Sequence, residues 1–471
     1  MRRIGYDPSK AMKGLRILGF LLLLIPYAQV GAQGDPEVIS RIIDEGKNRN
    51  QVIRHLEYLC LQIGPRLTGS SNLQKACEWT RDMFKSFGLQ NAHLEQWGEV
   101  PVGFRRGPNQ IARMVAPYPR TFQFTTRAWS AGTNGLVRGP AVKAPENAEA
   151  ARAMKDQLKG AWVLMPPQQR GQRPNEELEN ALREAGIAGK IFPSRNELVI
   201  TSGSWRGLTW ENLPTDVEVT VRLSDYQAVM SALDAGQQPI LEIWAENIWE
   251  PGPVPVYNVI ADIPGTEKPE EMVIVSGHLD SWDGPGSQGT CDNGTGTMVA
   301  LEAARLLMTA GAKPKRTIRF ILWTGEEQGL LGSRAYVEMH KDELDKISAV
   351  LVDDGGTNYS GGLVCIESMR PMLEKAIAPL NEAFPELPVT LRVVESMPRG
   401  GGSDHVPFNQ AGVPGFFWVE TGVANYTYVH HTQHDNISAA IHPYLFQSSV
   451  AAAVTAYNLA CADTLLPRQG G

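Results

Sequence analysis

The sequence predicts an α/β protein: a mixed, largely parallel sheet between helices, interrupted by an inserted β-rich segment. Three observations carry this. From residue 256 onward, apolar strand-like runs alternate with helical ones. Residues 120–250 have another texture, rich in Trp and Pro and without a single His. Residues 36–95 read as helical, with apolar residues at helical spacing in "VISRIIDEGKNRNQVIRHLEYLCLQI" and "LQKACEWTRDMFKSFG". The chain has 471 residues and 42% apolar content, enough for a large core, and at about 100–200 residues per domain it should hold two or three domains. The expected division is 36–122 and 252–466 for the two parts of a main domain, the second carrying the functional site, with 123–251 inserted between them.

Residues 1–32 stand apart. Arg2, Arg3, Lys10, Lys13 and Arg16 precede "ILGFLLLLI", and Pro26 and a small-residue site ending at Ala32 follow. A charged start, a short apolar run and a small-residue cleavage site are the plan of a secretory signal peptide. The apolar run is half of the roughly 20 residues a spanning helix needs. The expectation is therefore export, periplasmic or extracellular, with no stable membrane insertion once the segment is removed. Removal sheds five basic residues against one acid, Asp7, and the whole chain is already at −7, so no nucleic-acid partner is suggested. Cys60, Cys77, Cys291, Cys365 and Cys461 are an odd set with no CxxC pair, which argues against a thiolate metal site. Pairing of Cys60 with Cys77 stays open on sequence alone.

The elements follow in order. "GPRLTGS" (64–70) is a turn cluster between the first helices, and Gly88 closes the second. In the insert, "RTFQFTTRAWS" and "GAWVLMPP" read as strands, "NEELENALREAG" as a helix, "LSDYQAVMSALDAG" as a short helix and "PILEIWAENIW" as a strand. Then come strands "VYNVIADI" and "EMVIVSG", helix "GTGTMVALEAARLLMTAG", strand "RTIRFILWT", helix "GSRAYVEMHKDEL" and strand "SAVLVDD". Helix "PMLEKAIAPLNEAF", strands "VTLRVV" and "VPGFFWVE", and a last helix near 442–460 complete the chain.

In such sheets ligands bind beyond the carboxyl ends of strands. Here "MVIV" runs into His278 and Asp280, "RFILWT" into Glu326 and Glu327, and "SAVLV" into Asp353 and Asp354. Asp292 opens the helix after the first of these loops, and "YVHHTQHD" adds His430, His431, His434 and Asp435. One acid at a strand end is ordinarily a helix cap or a solvated turn. Several converging carboxylates repel one another and titrate upward unless a cation joins them. Imidazoles and carboxylates without thiolate suit zinc, with manganese or cobalt open. Two metals about 3.5–4 Å apart need a bridging carboxylate and would acidify a shared water. A carboxylate that is not a ligand must then take that water's proton, and an adjacent Glu-Glu pair supplies both jobs.

"HLDSWD", "CDNGTG", "WTGEEQGLLGS", "VDDGG" and "HHTQHD", in that order, resemble the family-28 metallopeptidases, the co-catalytic di-zinc aminopeptidases and glutamate carboxypeptidases. "NVIADIPG" and "IGPRLTGS" also fit, and "HLDSWD" brings the chain nearest to the plasma glutamate carboxypeptidase type. The resemblance runs from about residue 36 to 465. It implies a zinc-exopeptidase-type fold with a protease-associated-like insert, to which "LKGAWVLM" and "AGIAGKIFP" correspond, two zinc ions per chain, a short peptide substrate and the option of a homodimer. By motif, His278 and Asp354 would bind the first zinc, Glu327 and His431 the second, and Asp292 both. Asp280 would orient His278, and Glu326 would be the general base. Asp353 would brace its turn and Asp283 would help hold its loop. His430 and His434 are set aside as structural. In "RGGGSDHVPF", Ser403, Asp404 and His405 are candidate substrate contacts. The implied activity is hydrolysis of dipeptides or short peptides. An aminopeptidase is the near alternative, and a glutaminyl cyclase-type transferase or a non-catalytic binding relative are the distant ones.

Overall fold

The computed structural model describes residues 33–167 and 175–469. The expected signal peptide, 1–32, lies outside the described residues. Six strands make the central sheet, in the spatial order Gln90–Val100, Val254–Ile263, Arg316–Trp323, Lys268–His278, Ile347–Val352 and Gly415–Phe417. The last four are mutually parallel, and each of the first two pairs antiparallel with the next strand. The sheet is thus mixed and largely parallel. Its central strands read as near-continuous apolar runs because helices cover both faces. Val273, Val275, Phe320, Leu322 and Leu351 point to one side, against helices Pro36–Asn48, Ser71–Phe87, Thr295–Thr309 and His442–Cys461. Ile274, Ile321, Trp323, Val350 and Val352 point to the other, towards Tyr336 and Phe408.

Helices Thr295–Thr309 and His442–Cys461 are buried nearly all round, which an amphipathic surface helix is not. Small residues allow it. A Cβ on Gly46 would sit 2.1 Å from Val450 Cγ2, so only glycine lets helix Pro36–Asn48 close on the C-terminal helix. Asp35 and Ser70 cap the first and third helices by accepting from Glu37 N and Leu73 N. Helix Ser71–Phe87 closes at Gly88 as expected, with φ of 91°, but residues 90–95, read as part of the helical segment, are strand. The following residues pair with Val254–Ile263 as an edge strand, a partner more than 150 positions away that local periodicity does not reveal.

A second sheet of eight strands lies within 103–250 and has its own core around Trp162, Ile191, Leu241 and Ile243. Its longest strand, Gly103–Ala116, begins before the expected boundary at 123. "RTFQFTTRAWS" forms two short strands, Arg120–Thr121 and Phe124–Thr125, at opposite ends of the strand order. "VPGFFWVE" also divides: Gly415–Phe417 joins the central sheet and Val419–Thr421 a three-stranded one. All five cysteines are buried and free, so Cys60 and Cys77 do not pair. Among the described residues no helix is long and apolar enough to cross a membrane.

Candidate metal centre

Register decides where the site forms. His278 lies opposite Trp323, and Ser276 opposite Val352, so three neighbouring strands finish level. Their outgoing segments therefore carry His278, Glu326–Glu327 and Asp353–Asp354 to one place. Close approach needs glycine here: a Cβ on Gly296 would meet Asp353 O at 2.1 Å.

His278 is fully buried. Its Nδ1 lies 3.0 Å from the Asp280 carbonyl oxygen. That contact turns Nε2 towards Asp354 Oδ1 at 3.1 Å, Asp292 Oδ1 at 3.3 Å and Glu326 Oε2 at 3.9 Å. The other oxygen of Asp292 is 3.2 Å from His431 Nε2, which is 2.9 Å from Glu327 Oε2. Asp292 thus stands between two imidazoles. His278, Asp292 and Asp354 bring donor atoms within 4.8 Å of one another, and so do Asp292, His430 and His431. His430, set aside on sequence, therefore joins the cluster, with Nε2 4.0 Å from Asp292. His434 does not; it stacks on Tyr428 at 4.3 Å.

The electrostatics follow from burying several acids side by side. Burial, with Asp354 and Glu327 nearby and only His278 opposing, pushes Glu326 well above the usual carboxylate range. Burial and Asp292 push Glu327 up to about 7. Burial disfavours a charged His431, but Glu327 and Asp292 overcome it and raise its pKa to about 10. Asp292 Oδ2 and Glu327 Oε1 are buried without a hydrogen-bond partner. Orphaned carboxylate oxygens beside imidazoles are the donor set that a borderline dication such as zinc takes. Burial keeps the neighbouring Cys291 thiol protonated, so no thiolate joins them.

Surrounding groups hold the loops. The Asp280 carboxylate accepts from Thr68 Oγ1 at 2.9 Å and from the backbone N–H of Glu326 and Glu327, both at 3.3 Å. Its nearer contact with His278 is through its own carbonyl, its carboxylate being 3.6 Å away. Arg66 is fully buried and grips the same loop. Nε donates to Leu279 O at 2.7 Å, Nη2 to Gly289 O at 2.7 Å, and Nη1 to Gly64 O and Gln288 O at 3.1 and 3.2 Å. Asp283 pairs with Arg106 of the second sheet at 3.1 Å, both side chains buried. Asp353 offers its carbonyl to Asn293 Nδ2 at 2.7 Å, and burial, with the neighbouring Asp354 charge, raises its carboxyl to about 7 against an opposing hydrogen bond with Glu420. Asp435 accepts from Cys291 N.

A cavity of about 370 Å³ opens over the cluster, lined by Asp292, Glu326, Glu327, Asp354 and His431 together with Arg334, Tyr426, His430, Gly401 and Gly402. Ser403, Asp404 and His405 do not line it. Ser403 Oγ is buried without a partner, Asp404 accepts from Ser333 Oγ, and His405 lines an adjoining cavity of about 310 Å³ that shares Gly401 and Gly402. The second sheet's connection reaches the same rim. Thr201 N donates to His431 O at 2.9 Å, Val199 N to Gln433 Oε1 at 2.8 Å, and Trp282 packs edge-on to His431. Sequence reasoning missed Arg66, Arg106, Arg334 and Tyr426. Only Arg66 had a signal, its place inside the turn cluster "GPRLTGS".

Comparison with known proteins agrees with this geometry. Residues 258–456 match the description Peptidase family M28. Carboxypeptidase Q of Mus musculus is 30% identical over 430 residues, covering 90% of this chain and 88% of that protein. A peptidase M28 precursor of Shewanella amazonensis superposes with a TM-score of 0.64 at 22% identity, over 92% of this chain and 99% of the other. A zinc aminopeptidase of Bacillus subtilis does so with a TM-score of 0.54 at 21% identity, over 88% and 98%. The last two show the shared fold. Ligand-bearing strand ends, the ordered motifs and a relative matched along most of both chains lead to one conclusion: the chain belongs to peptidase family M28.

Proposed function

We propose that this protein is an exported di-zinc exopeptidase that hydrolyses dipeptides or short peptides. The observation that carries the reading is Asp292, held between His278 with Asp354 on one side and His431 with Glu327 on the other. The carboxypeptidase Q and zinc aminopeptidase relatives support it. His278 and Asp354 would hold one zinc, His431 and Glu327 the second, and Asp292 both. When bound, zinc supplies Lewis-acid polarisation of the scissile carbonyl and acidifies water.

The chain's own residues do the rest. Burial and the neighbouring acids hold Glu326 well above the usual carboxylate range, the direction a general base requires. It takes a proton from the attacking water and returns it to the leaving amine as the C–N bond breaks. Asp280 fixes Glu326 and Glu327 through their backbone N–H groups and His278 through its carbonyl. The segment 123–251 acts as a protease-associated-like cover; its 199–201 stretch bonded to 431–433 supports a cleft restricted to short substrates. Export rests on the residue pattern of 1–32.

The test is hydrolysis of free dipeptides by the purified chain, beside N-blocked and C-amidated versions, with and without a chelator, and with Glu326→Gln. Chelator-sensitive cleavage is expected. Glu326→Gln should retain two zinc ions and lose about 10²–10⁴-fold in turnover. Wild-type turnover in that variant would remove Glu326 as the base.

A further inference from the structure

The cavity over the metal cluster is lined by acids, imidazoles, Tyr426 and small or apolar residues, with a single permanent cation among them, Arg334. Arg334 sits near the start of helix Leu331–Met339, eight residues beyond Glu326. Its side chain is exposed, and Nε donates to Gly329 O at 3.2 Å, a contact that fixes the direction of the guanidinium without neutralising it. Among the described residues no carboxylate lies within ion-pair distance of Arg334. By contrast, Arg106, Arg305 and Arg319 all have acid partners.

A guanidinium is the side chain best shaped to take a carboxylate through two parallel N–H···O bonds. A peptide's terminal carboxylate lies about 3.5 Å per residue beyond the scissile carbonyl, and a cavity of about 370 Å³ holds both the cluster and Arg334. A free amino terminus, being cationic, would be repelled by the same group.

Building on the peptidase reading above, we propose that Arg334 anchors the free C-terminal carboxylate of the substrate, so that the enzyme is directed to the carboxyl end and takes unblocked dipeptides in preference to C-amidated ones. Arg334 is then a specificity-determining residue, and its contact is made equally in ground and transition states. Losing it should raise KM and leave kcat largely unchanged.

The experiment compares one dipeptide with its C-terminal amide on wild type, Arg334→Gln and Arg334→Lys, with zinc content measured for each. Wild type should favour the free acid. Arg334→Gln should raise KM for the free acid about 10–100-fold and leave the amide unchanged, with Arg334→Lys between. Calorimetric binding of the two compounds to Glu326→Gln, with and without Arg334→Gln, should give the same pattern without turnover. Chelator-sensitive hydrolysis whose acid-to-amide ratio is unmoved by Arg334→Gln overturns the assignment and leaves the peptidase reading standing. A wild type that hydrolyses neither compound, with zinc bound, overturns the peptidase reading itself.

Discussion

Arg66→Met tests whether the buried guanidinium builds the metal loop. The substitution keeps an unbranched apolar stem and removes the charge with every donor. Four side-chain bonds disappear, to Leu279, Gly64, Gln288 and Gly289. At about 1.5–3 kcal/mol for each bond from a charged donor, the gross loss is about 6–12 kcal/mol. Against it stands the relief of no longer burying an ion, several kcal/mol. The Leu279 and Gly289 carbonyls are left buried and unpartnered, at about 1–3 kcal/mol each, so the expected net destabilisation is about 2–6 kcal/mol. The loop so released joins His278 to Asp292. Zinc affinity should therefore fall about 10–100-fold, as it does when groups supporting metal ligands are lost. Denaturant unfolding measures the first effect, and zinc titration against a competing chelator measures the second. Arg66→Lys keeps the charge but not the fork and should lie between. If Arg66→Met unfolds at the wild-type midpoint and binds zinc as tightly as wild type, the clamp reading is wrong.

Two further outcomes concern buried charge. Arg106→Met strands Asp283 in a buried site and should cost about 3–5 kcal/mol, whereas Arg106→Met with Asp283→Asn should recover part of that; a double-mutant cycle on unfolding midpoints measures the coupling. Glu302 is buried, yet hydrogen bonds from His55 and Arg305 outweigh the burial and hold its pKa below the usual value. A carboxylate depressed in the folded state adds stability that is full above its unfolded pKa, about 4.3, and lost as pH falls through the folded value. Unfolding midpoints should therefore drop below about pH 4.3, and Glu302→Gln should flatten that drop while lowering stability at pH 7.

Local chemistry made much of this protein legible from sequence. Continuous apolar runs such as "MVIV" and "SAVLV" announce strands buried on both faces, because only covered sheets tolerate them. Acids and histidines following those runs mark the carboxyl ends where such sheets bind ligands, and the motif resemblance then singled out His278, Asp292, Glu326, Glu327, Asp354 and His431 among them. Residues 90–100 could not be placed, because an edge strand's identity depends on its partner at 254–263 rather than on its own pattern. The tertiary structure alone brought His430 beside Asp292, since a backbone turn with φ 61° at His431 is not written in residue spacing. It also decided that Arg66 spends three of its four donor bonds on backbone carbonyls of a loop more than 200 residues away, that Arg106 crosses from the second sheet to Asp283, and that Arg334 faces the metal cavity with no carboxylate at ion-pair distance among the described residues. Sequence fixes which groups are present and which strand or helix bears them; long side chains find their partners only after distant segments pack, because hydrogen bonds and ion pairs depend on distances that sequence separation does not encode.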